Sequence, residues 1–299
     1  MAQIIEPVDR KALWAELTPE HFVRTTRHAS NEIYIFRAAE CPALMREVGR
    51  LREEAFRTAG GGTGSSLDID HDDIAEEGYR QLIIWDPARE EIVGGYRYII
   101  CGSEHPENLS TEHYFRFSRK FRRKFLPYTI ELGRSFVQVA YQTRHNHKSI
   151  YALDNLWEGL GAIVARNPSI RYLFGKVTIY TRYNRSARNA LLWFLHRFFP
   201  DHERLVTARR PLEEEWDEAF FERLFSGGSY EENYKILLRT IRENEESIPP
   251  LINSYMNLSR TMRVFDTVRN PDFGNVEETG IMLTIPDIYP EKRARYIVE

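Results

Sequence analysis

An acidic and a basic side chain stand three residues apart in the apolar, β-rich segment 129–139. They are Glu131 and Arg134. Alternation along a strand places Glu131 and Gly133 on one face and Arg134 on the other. A bulge at Gly133 would change the direction in which the Arg134 side chain points. It would also release backbone N–H groups from the hydrogen-bond ladder of the sheet. A buried carboxylate beside unpaired donors suits acyl transfer, in which a base activates an amine and donors polarise a carbonyl. An ordinary buried Glu–Arg pair that holds a sheet together is the competing interpretation.

A polar, basic loop follows this segment and precedes a helix predicted at residues 150–166. A strand, a basic loop and a helix N-terminus together form a phosphate-binding geometry, although an ordinary strand-to-helix connection has the same order. The candidate phosphate ligands are Gln142, Arg144 and Lys148. The same loop contains two histidines, but no third ligand accompanies them, and we expect no metal site.

Six of the nine residues 116–124 are basic, and phenylalanines at helical spacing interleave them. The net charge of −3 and the lack of a recognition motif disfavour nucleic acid. Anionic lipid headgroups, an acidic protein partner and a plain solvated face remain as interpretations. The basic residues are Arg116, Arg119, Lys120, Arg122, Arg123 and Lys124.

Four aspartates mark the loop at residues 63–77, and they are Asp68, Asp70, Asp72 and Asp73. Their spacing is similar to the start of a calcium loop, but the required Gly and Glu positions hold Asp73 and Tyr79. An acidic loop beside a site that receives a cationic substrate is the better interpretation. A solvated loop explains the pattern equally well.

Alternating β-rich and helical patterns predict an α/β fold with a βαβ crossover. We assign residues 1–204 to the core, residues 205–250 to a helical insertion and residues 251–299 to a segment whose strand returns to the sheet. The predicted strands are 31–36, 79–85, 91–100, 129–139, 172–180 and 280–286, and the helices are 42–58, 150–166, 184–199, 212–225 and 230–246.

The composition excludes several classes of protein. A chain of 299 residues with 42% hydrophobic and 28% charged residues is typical of a globular protein with a sizeable core. Two cysteines exclude a disulfide framework. The N-terminus has no signal-peptide pattern, and no apolar run is long enough to span a bilayer. We therefore expect a cytoplasmic protein, with peripheral contact to the inner membrane left open.

Several short motifs occur in an order that resembles a known family. They are Glu53-Glu54-Ala55-Phe56, the acidic loop, Val93-Gly94-Gly95-Tyr96-Arg97 and Glu131-Leu132-Gly133-Arg134-Ser135. In this order they resemble the bacterial N-acyltransferases that make lyso-ornithine and related aminolipids. These enzymes are distant relatives of acyl-homoserine-lactone synthases. The resemblance covers roughly residues 40–195 and 248–288, and it implies a GNAT-like mixed central sheet flanked by helices.

The resemblance also implies a reaction. A fatty acyl group, often 3-hydroxylated, would move from acyl carrier protein to the α-amine of an amino acid such as ornithine or glycine, with no bound cofactor. The positions that match the functional residues of the family are Phe56, Asp70, Asp73, Arg97, Glu131 and Arg134. Glu131 would act as the base, Arg134 would hold Glu131 or the acceptor carboxylate, and Tyr183 would protonate the leaving thiolate.

The sequence departs from the GNAT pattern at the phosphate loop, where residues 142–147 contain no glycine. This departure favours a single phosphate, as on the phosphopantetheine arm of a carrier protein, although acyl-CoA stays open as a donor. The basic residues 116–124 would then dock the acidic carrier. A lactone-signal synthase, a non-catalytic module that binds acyl chains or carrier protein, and a nucleic-acid binder are the alternatives.

Overall fold

The structure is a computed structural model that describes residues 1–102, 109–142, 149–213 and 216–297. The predicted phosphate ligands Arg144 and Lys148 lie outside these residues. The described residues form ten strands, which are β1 (Phe22–Thr25), β2 (Glu32–Phe36), β3 (Arg80–Asp86), β4 (Glu91–Ile100), β5 (Phe115–Phe117), β6 (Thr129–Val137), β7 (Tyr172–Ile179), β8 (Val206–Ala208), β9 (Arg263–Asn270) and β10 (Val276–Thr284).

Eight of these strands form the central sheet in the order β1-β2-β3-β4-β6-β7-β10-β9. β6 and β7 are parallel, and every other neighbouring pair is antiparallel. The sheet is therefore mixed, as predicted. β5 and β8 pair with each other in a separate small sheet.

The described helices cover both faces of the central sheet. They are α1 (Arg10–Glu16), α2 (Pro42–Ala59), α3 (His71–Ile74), α4 (Arg119–Lys124), α5 (Ser149–Arg166), α6 (Arg185–Phe198), α7 (Glu218–Leu224), α8 (Tyr230–Glu243), α9 (Pro250–Met256) and α10 (Pro290–Tyr296). α5 connects the parallel strands β6 and β7, as the predicted βαβ unit requires. This GNAT-like arrangement confirms the predicted fold class.

Strand β3 shows why two layers of helices are needed. Leu82 and Ile84 pack in the core beneath α5 and α6, whereas Ile83 and Trp85 pack in the core beneath α2. All four side chains are fully buried. Because successive residues of a strand face opposite sides, this uninterrupted apolar run requires cover on both faces.

Helix α2 begins and ends where its sequence dictates. Pro42 occupies the first turn, and Gly60 ends the helix in the left-handed conformation with φ of 101°. Leu44, Val48 and Leu51 recur at helical spacing and are buried. α2 therefore covers one face of the sheet with an apolar stripe.

The later part of the chain differs more from prediction. Within residues 31–199 the predicted strands and helices are present with ends shifted by at most two residues, except that the basic segment 115–125 is divided between β5 and α4. Helix α7 begins only at Glu218, because Leu212 donates its N–H to Thr267 of β9 instead of starting a helix. The strand predicted at residues 280–286 is β10, which returns to the central sheet as predicted and pairs there with β7. β9, which completes the sheet edge beside it, was missed.

We expect Gly94→Ala to lower the free energy of unfolding by about 1–3 kcal/mol, the usual cost of forcing extra atoms into a packed interior. A Cβ on Gly94 would lie 2.5 Å from the carbonyl oxygen of Phe136 on β6. Gly228→Ala is the control, because its Cβ would lie 3.4 Å from its nearest neighbour on an exposed turn. Urea unfolding measures both, and equal stability of the two variants would contradict this account.

Candidate active site

A bulge in β6 opens the centre of the sheet. Gly95 of β4 pairs with Phe136, but Arg97 pairs with Gly133, so β6 carries one extra residue between these pairs. Arg134 lies in the bulge with a left-handed φ of 48°. The parallel pairing of β6 with β7 extends only from Thr129 to Leu132. The two strands therefore separate where the sequence predicts a bulge.

The space between the separated strands is a cleft of about 620 Å³. Its walls come from β6, β7, α5, α9 and the turn after β9, so it reaches from one face of the sheet to the other. Apolar side chains form a large part of its lining, and they include Phe56, Phe136, Val137, Ala152, Leu153, Val177, Leu251, Ile252 and Phe273. A cleft of this volume and lining suits an extended apolar chain.

A polar pocket of about 190 Å³ adjoins the cleft. Asp70, Asp72, His113, Asn270 and Asp272 are among the residues that line it. Five further residues line both the pocket and the cleft, namely Arg97, Ser110, Arg134, Lys176 and Phe273. The apolar and polar spaces therefore meet at a common set of side chains.

Arg97 and Arg134 tie the acidic loop to the sheet. One guanidinium nitrogen of Arg97 lies 2.7 Å from both carboxylate oxygens of Asp70. Nε of Arg134 lies 2.9 Å from Asp68, and its Nη2 lies 3.3 Å from Asp70. These contacts replace the predicted fork between Arg134 and Glu131, because the bulge turns Arg134 toward the acidic loop.

Asp73 holds the same loop from inside the protein. It is buried, pairs with Arg52 at 3.2 Å and accepts a bond from Gln81 at 2.9 Å. Burial acts to raise the pKa of Asp73, but the cations of Arg52 and Arg97 outweigh it and hold that pKa below its usual range. Asp73 lines neither the cleft nor the polar pocket, whereas Asp70 lines the pocket.

Glu131 is fully buried and accepts four hydrogen bonds. Tyr79 Oη donates at 2.9 Å, Ser110 Oγ at 2.6 Å, and the N–H and hydroxyl of Thr111 at 3.1 Å each. Burial raises the pKa of Glu131, and these hydrogen bonds oppose the shift. Glu131 lines neither the cleft nor the polar pocket, but Ser110 lines both, so Glu131 reaches these spaces through Ser110.

Lys176 and Glu278 form a second charged pair in the cleft wall, which the sequence alone does not indicate. Nζ of Lys176 lies 2.5 Å from Glu278, and it lies 4.9 Å from the ring centroid of Tyr114. Burial lowers the pKa of Lys176, Glu278 opposes the shift, and Arg134 adds to it. The two residues face the same side because β7 and β10 pair Glu278 with Thr178, two residues beyond Lys176.

The remaining predicted site residues lie elsewhere or make other contacts. The hydroxyl of Tyr183 donates to the Ser247 carbonyl at 3.0 Å, and Tyr183 lines a different cavity from the cleft. Gln142 lines the cleft, but its side-chain amide donates to the Val137 carbonyl at 2.7 Å. Phe56 does line the cleft, with its ring centroid 5.0 Å from that of Phe273.

The basic segment forms an exposed surface on a buried aromatic base. Phe121 is fully buried, and its ring lies 4.8 Å from the ring of Phe117. Lys120 pairs with Glu203, and Arg122 pairs with Glu112. The other four basic residues of the segment are exposed and take no part in these two ion pairs. They are Arg116, Arg119, Arg123 and Lys124.

Across the described ranges, no cluster of three or more His, Cys, Asp or Glu side chains is arranged to hold a metal ion. Within the same ranges, no helix has both the length and the apolar character that crossing a membrane demands.

Similarity to known proteins places the chain in the class of acyltransferases with a GNAT domain. Residues 51–152 match the family described as acetyltransferase (GNAT) domain. The chain is also similar to the crystal structure of the AHL synthase LasI. The aligned part covers 49% of this chain and 71% of the LasI chain, with a TM-score of 0.34 and 19% sequence identity.

Two curated relatives identify the family. They are named glycine N(alpha)-acyltransferase and come from Phocaeicola vulgatus and Bacteroides thetaiotaomicron. Each is 48% identical over 303 residues, which cover 99% of this chain and 93% and 90% of the respective relatives. The chain belongs to this N-acyltransferase family, which confirms the family resemblance and the acyltransferase class that the sequence predicts.

We expect Asp73→Asn to lower the free energy of unfolding at pH 7 by about 3–5 kcal/mol, because buried Arg52 loses its charged partner. The folded-state pKa of Asp73 lies below its unfolded value of about 3.9. Its stabilisation is therefore complete above that pH and is lost as the pH falls toward the folded-state pKa. The difference in the free energy of unfolding between the wild type and the variant should therefore be smaller when urea unfolding is measured near pH 3 than at pH 7.

The control for this experiment is Asp272→Asn, because Asp272 is exposed. It should unfold like the wild type at both pH values. A deficit of Asp73→Asn that is the same at pH 7 and pH 3 would contradict the assigned pairing.

Proposed function

We propose that the protein transfers a fatty acyl group, often 3-hydroxylated, from acyl carrier protein to the α-amine of glycine in aminolipid synthesis. The meeting of the apolar cleft with the small polar pocket carries this proposal. An acyl thioester needs an apolar channel, and a zwitterionic acceptor needs paired charges beside it. The names of the two relatives support glycine as the acceptor.

The polar pocket offers opposite charges for the two ends of an amino acid. Burial raises the pKa of Asp72, and Arg97 opposes the shift. The carboxylates of Asp70 and Asp72 line the pocket and would attract the ammonium group of an acceptor. Lys176 and Arg134 lie on the cleft side and would hold the carboxylate. None of the described residues that line the pocket is aliphatic, which favours glycine over an acceptor with an apolar side chain.

Glu131 would accept the proton of the acceptor's ammonium group through Ser110. Ser110 lines the site, and its hydroxyl already donates to Glu131 at 2.6 Å. Ser110 Oγ would take a proton from the ammonium group while the hydroxyl proton of Ser110 passes to Glu131. The amine would then be neutral and able to attack the thioester. Because burial raises the pKa of Glu131, this carboxylate is a better proton acceptor than an exposed one.

The bulge would stabilise the charge that develops on the thioester oxygen. Arg134 and Ser135 lie outside the β4–β6 pairing, between the pairs formed by Gly133 and Phe136. Backbone N–H groups that leave a ladder are available to a carbonyl in the cleft. The acyl chain would then extend along the apolar wall that includes Leu153 and Leu251.

Tyr180 is better placed than Tyr183 to protonate the leaving thiolate. Tyr180 lines the cleft, whereas the Tyr183 hydroxyl is bound to Ser247. Burial and nearby Glu278 raise the pKa of Tyr180 to about 12, so the phenol carries its proton at neutral pH. We therefore assign the proton donor to Tyr180.

Helix α4 would dock the acidic carrier protein through its exposed cations. Arg119, Arg123 and Lys124 lie on this helix, and Arg116 precedes it. Charge complementarity of this kind raises association rates and is weakened by salt. The same cations would also bind an anionic membrane surface, and acyl-CoA is the alternative donor.

The first test is a mass-spectrometric product assay with 3-hydroxyacyl carrier protein and a pool of amino acids that includes glycine and ornithine. We expect N-acylglycine, and we expect Glu131→Gln to lower its rate of formation by about 10²–10⁴-fold because the proton acceptor is lost. Circular dichroism would verify that the variant is folded.

Other outcomes would redirect the proposal. Acylornithine as the main product would replace glycine as the acceptor. A lactone product would favour a signal synthase. Folded protein that forms no product with carrier-bound or CoA-bound acyl groups would favour a binding module, and a fully active Glu131→Gln would remove Glu131 from the mechanism.

A matched pair of variants tests the proton donor. We expect Tyr180→Phe to lower kcat by about 10²-fold, a value typical of the loss of a general acid. Tyr183→Phe removes a hydroxyl that is bound to Ser247 outside the cleft and should change kcat much less. The reverse order of effects would return the role to Tyr183.

A further inference from the structure

A small cavity of about 20 Å³ adjoins the acyl cleft. Ser135, Val177 and Leu251 are among the residues that line both spaces. A cavity of this size has room for one water molecule or one hydroxyl group. We call it the hydroxyl cavity, because three side chains that carry a hydroxyl line it, namely Tyr96, Ser135 and Tyr255. Nothing in the reaction described so far uses these hydroxyls.

Tyr96 stands opposite the bulge in β6. Its neighbours on β4, Gly95 and Arg97, pair with Phe136 and Gly133, and the bulge lies between these two pairs. The hydroxyl oxygen of Tyr96 is buried, and it makes no hydrogen bond of normal geometry with any residue that the structure describes. A buried hydroxyl without a partner is unfavourable. Tyr96 therefore offers a hydrogen bond that the protein itself does not use.

The other two hydroxyls lie beside that of Tyr96. Burial raises the pKa of Tyr96 to about 12, and the hydroxyls of Ser135 and Tyr255 oppose the shift. Burial and the nearby Tyr96 raise the pKa of Tyr255 well above its usual value. Both phenols therefore carry their protons at neutral pH and can donate, while the Ser135 hydroxyl can donate or accept. Such a set suits a ligand hydroxyl, which also does both.

The hydroxyl cavity lies next to the place proposed for the thioester carbonyl. Ser135 belongs to the bulge whose N–H groups would hold the carbonyl oxygen, and it also lines the cavity. A hydroxyl on C2 of the acyl chain would compete with the carbonyl oxygen for these N–H groups. A hydroxyl on C3 would reach beyond them into the cavity. The rest of the chain would continue along Leu251, which lines both spaces.

We propose that Tyr96, Ser135 and Tyr255 bind a 3-hydroxyl group on the acyl chain and select one of its two configurations. The hydroxyl cavity adjoins the cleft on one side, so only one configuration at C3 directs the hydroxyl into it while the chain follows the apolar wall. The other configuration would leave Tyr96 Oη without a partner. A site built to bind a hydroxyl discriminates against a substrate that leaves its polar groups unpaired. This inference rests on the proposed acyl transfer.

The test compares three carrier-bound donors of equal chain length, which are the (R)-3-hydroxyacyl, the (S)-3-hydroxyacyl and the unsubstituted acyl thioester. The two hydroxylated donors differ only in configuration, so a preference between them reports where the hydroxyl binds. We expect the kcat/KM of the wild type for one of them to exceed that for the other by about tenfold, a value typical of one hydrogen bond. Tyr96→Phe and Tyr255→Phe should each lower this ratio and leave kcat/KM for the unsubstituted donor unchanged.

The matched control is Tyr34→Phe. Tyr34 is also buried, but its hydroxyl donates to Glu32 at 2.8 Å, and it lines neither the cleft nor the hydroxyl cavity. This variant should keep the ratio of the wild type. Equal kcat/KM of the wild type for the two configurations would overturn the proposal, and so would a ratio that Tyr96→Phe leaves unchanged.

Urea unfolding distinguishes a binding role of Tyr96 from a structural one. Tyr96→Phe removes a buried hydroxyl without a partner, so we expect its urea midpoint to equal or exceed that of the wild type. A lower midpoint would mean that the hydroxyl stabilises the fold, and it would overturn the proposal.

A binding measurement separates this proposal from the proposed function. Calorimetry would titrate (R)-3-hydroxydodecanoate, (S)-3-hydroxydodecanoate and dodecanoate into the wild type and Tyr96→Phe. We expect one hydroxylated acid to bind the wild type most tightly, and we expect Tyr96→Phe to lose that difference. Equal affinity of the wild type for the three acids would mean that the cavity holds only water, and it would refute the proposal even if acyl transfer is demonstrated. A preference that depends on Tyr96 would support it even if no product forms.

Discussion

A cluster of buried and half-buried ion pairs fixes the acidic loop to the central sheet, and the geometry of the site depends on it. Arg52 from α2, Arg97 from β4 and Arg134 from β6 converge on Asp68, Asp70 and Asp73. Each guanidinium is held by at least one carboxylate, so none is left as an isolated charge in the interior. Removal of one partner leaves an uncompensated charge, which makes the cluster sensitive to single substitutions.

The bulge in β6 has two effects that support each other. It adds one residue between the pairs at Gly133 and Phe136, which turns Arg134 toward Asp68 and ends the pairing with β7. A left-handed φ at a non-glycine residue is unfavourable, and the ion pairs of Arg134 help to offset that cost. The opening of the cleft and the anchoring of the loop thus arise from the same inserted residue.

The parts of the site that the sequence predicts are those with local signals. The acid and base in one apolar strand, and the glycine between them, indicate a bulge before any contact is known. Lys176 and Glu278 have no such signal, because they meet only through the pairing of β7 with β10, strands about 100 residues apart. Ser110 was missed for a similar reason, since its role comes from contact with Glu131 across the fold.

β3 was predicted correctly because it has an uninterrupted apolar run from Leu82 to Trp85. β9 mixes Val264 and Phe265 with Asp266 and Arg269 and gives no clear period, because its place at the edge leaves Arg269 exposed. The sequence indicated Tyr183 as the proton donor, but its hydroxyl is bound to Ser247, and Tyr180 lines the cleft instead.

The order of the strands has a consequence for synthesis of the protein. Phe273 and Glu278, which line the cleft, belong to the last elements of the sheet to leave the ribosome. Until β9 and β10 are made, β7 lacks its antiparallel partner, Lys176 lacks its carboxylate, and the cleft lacks one wall. A nascent chain therefore cannot assemble the site one motif at a time, because the cleft is complete only after β9 and β10 have been made.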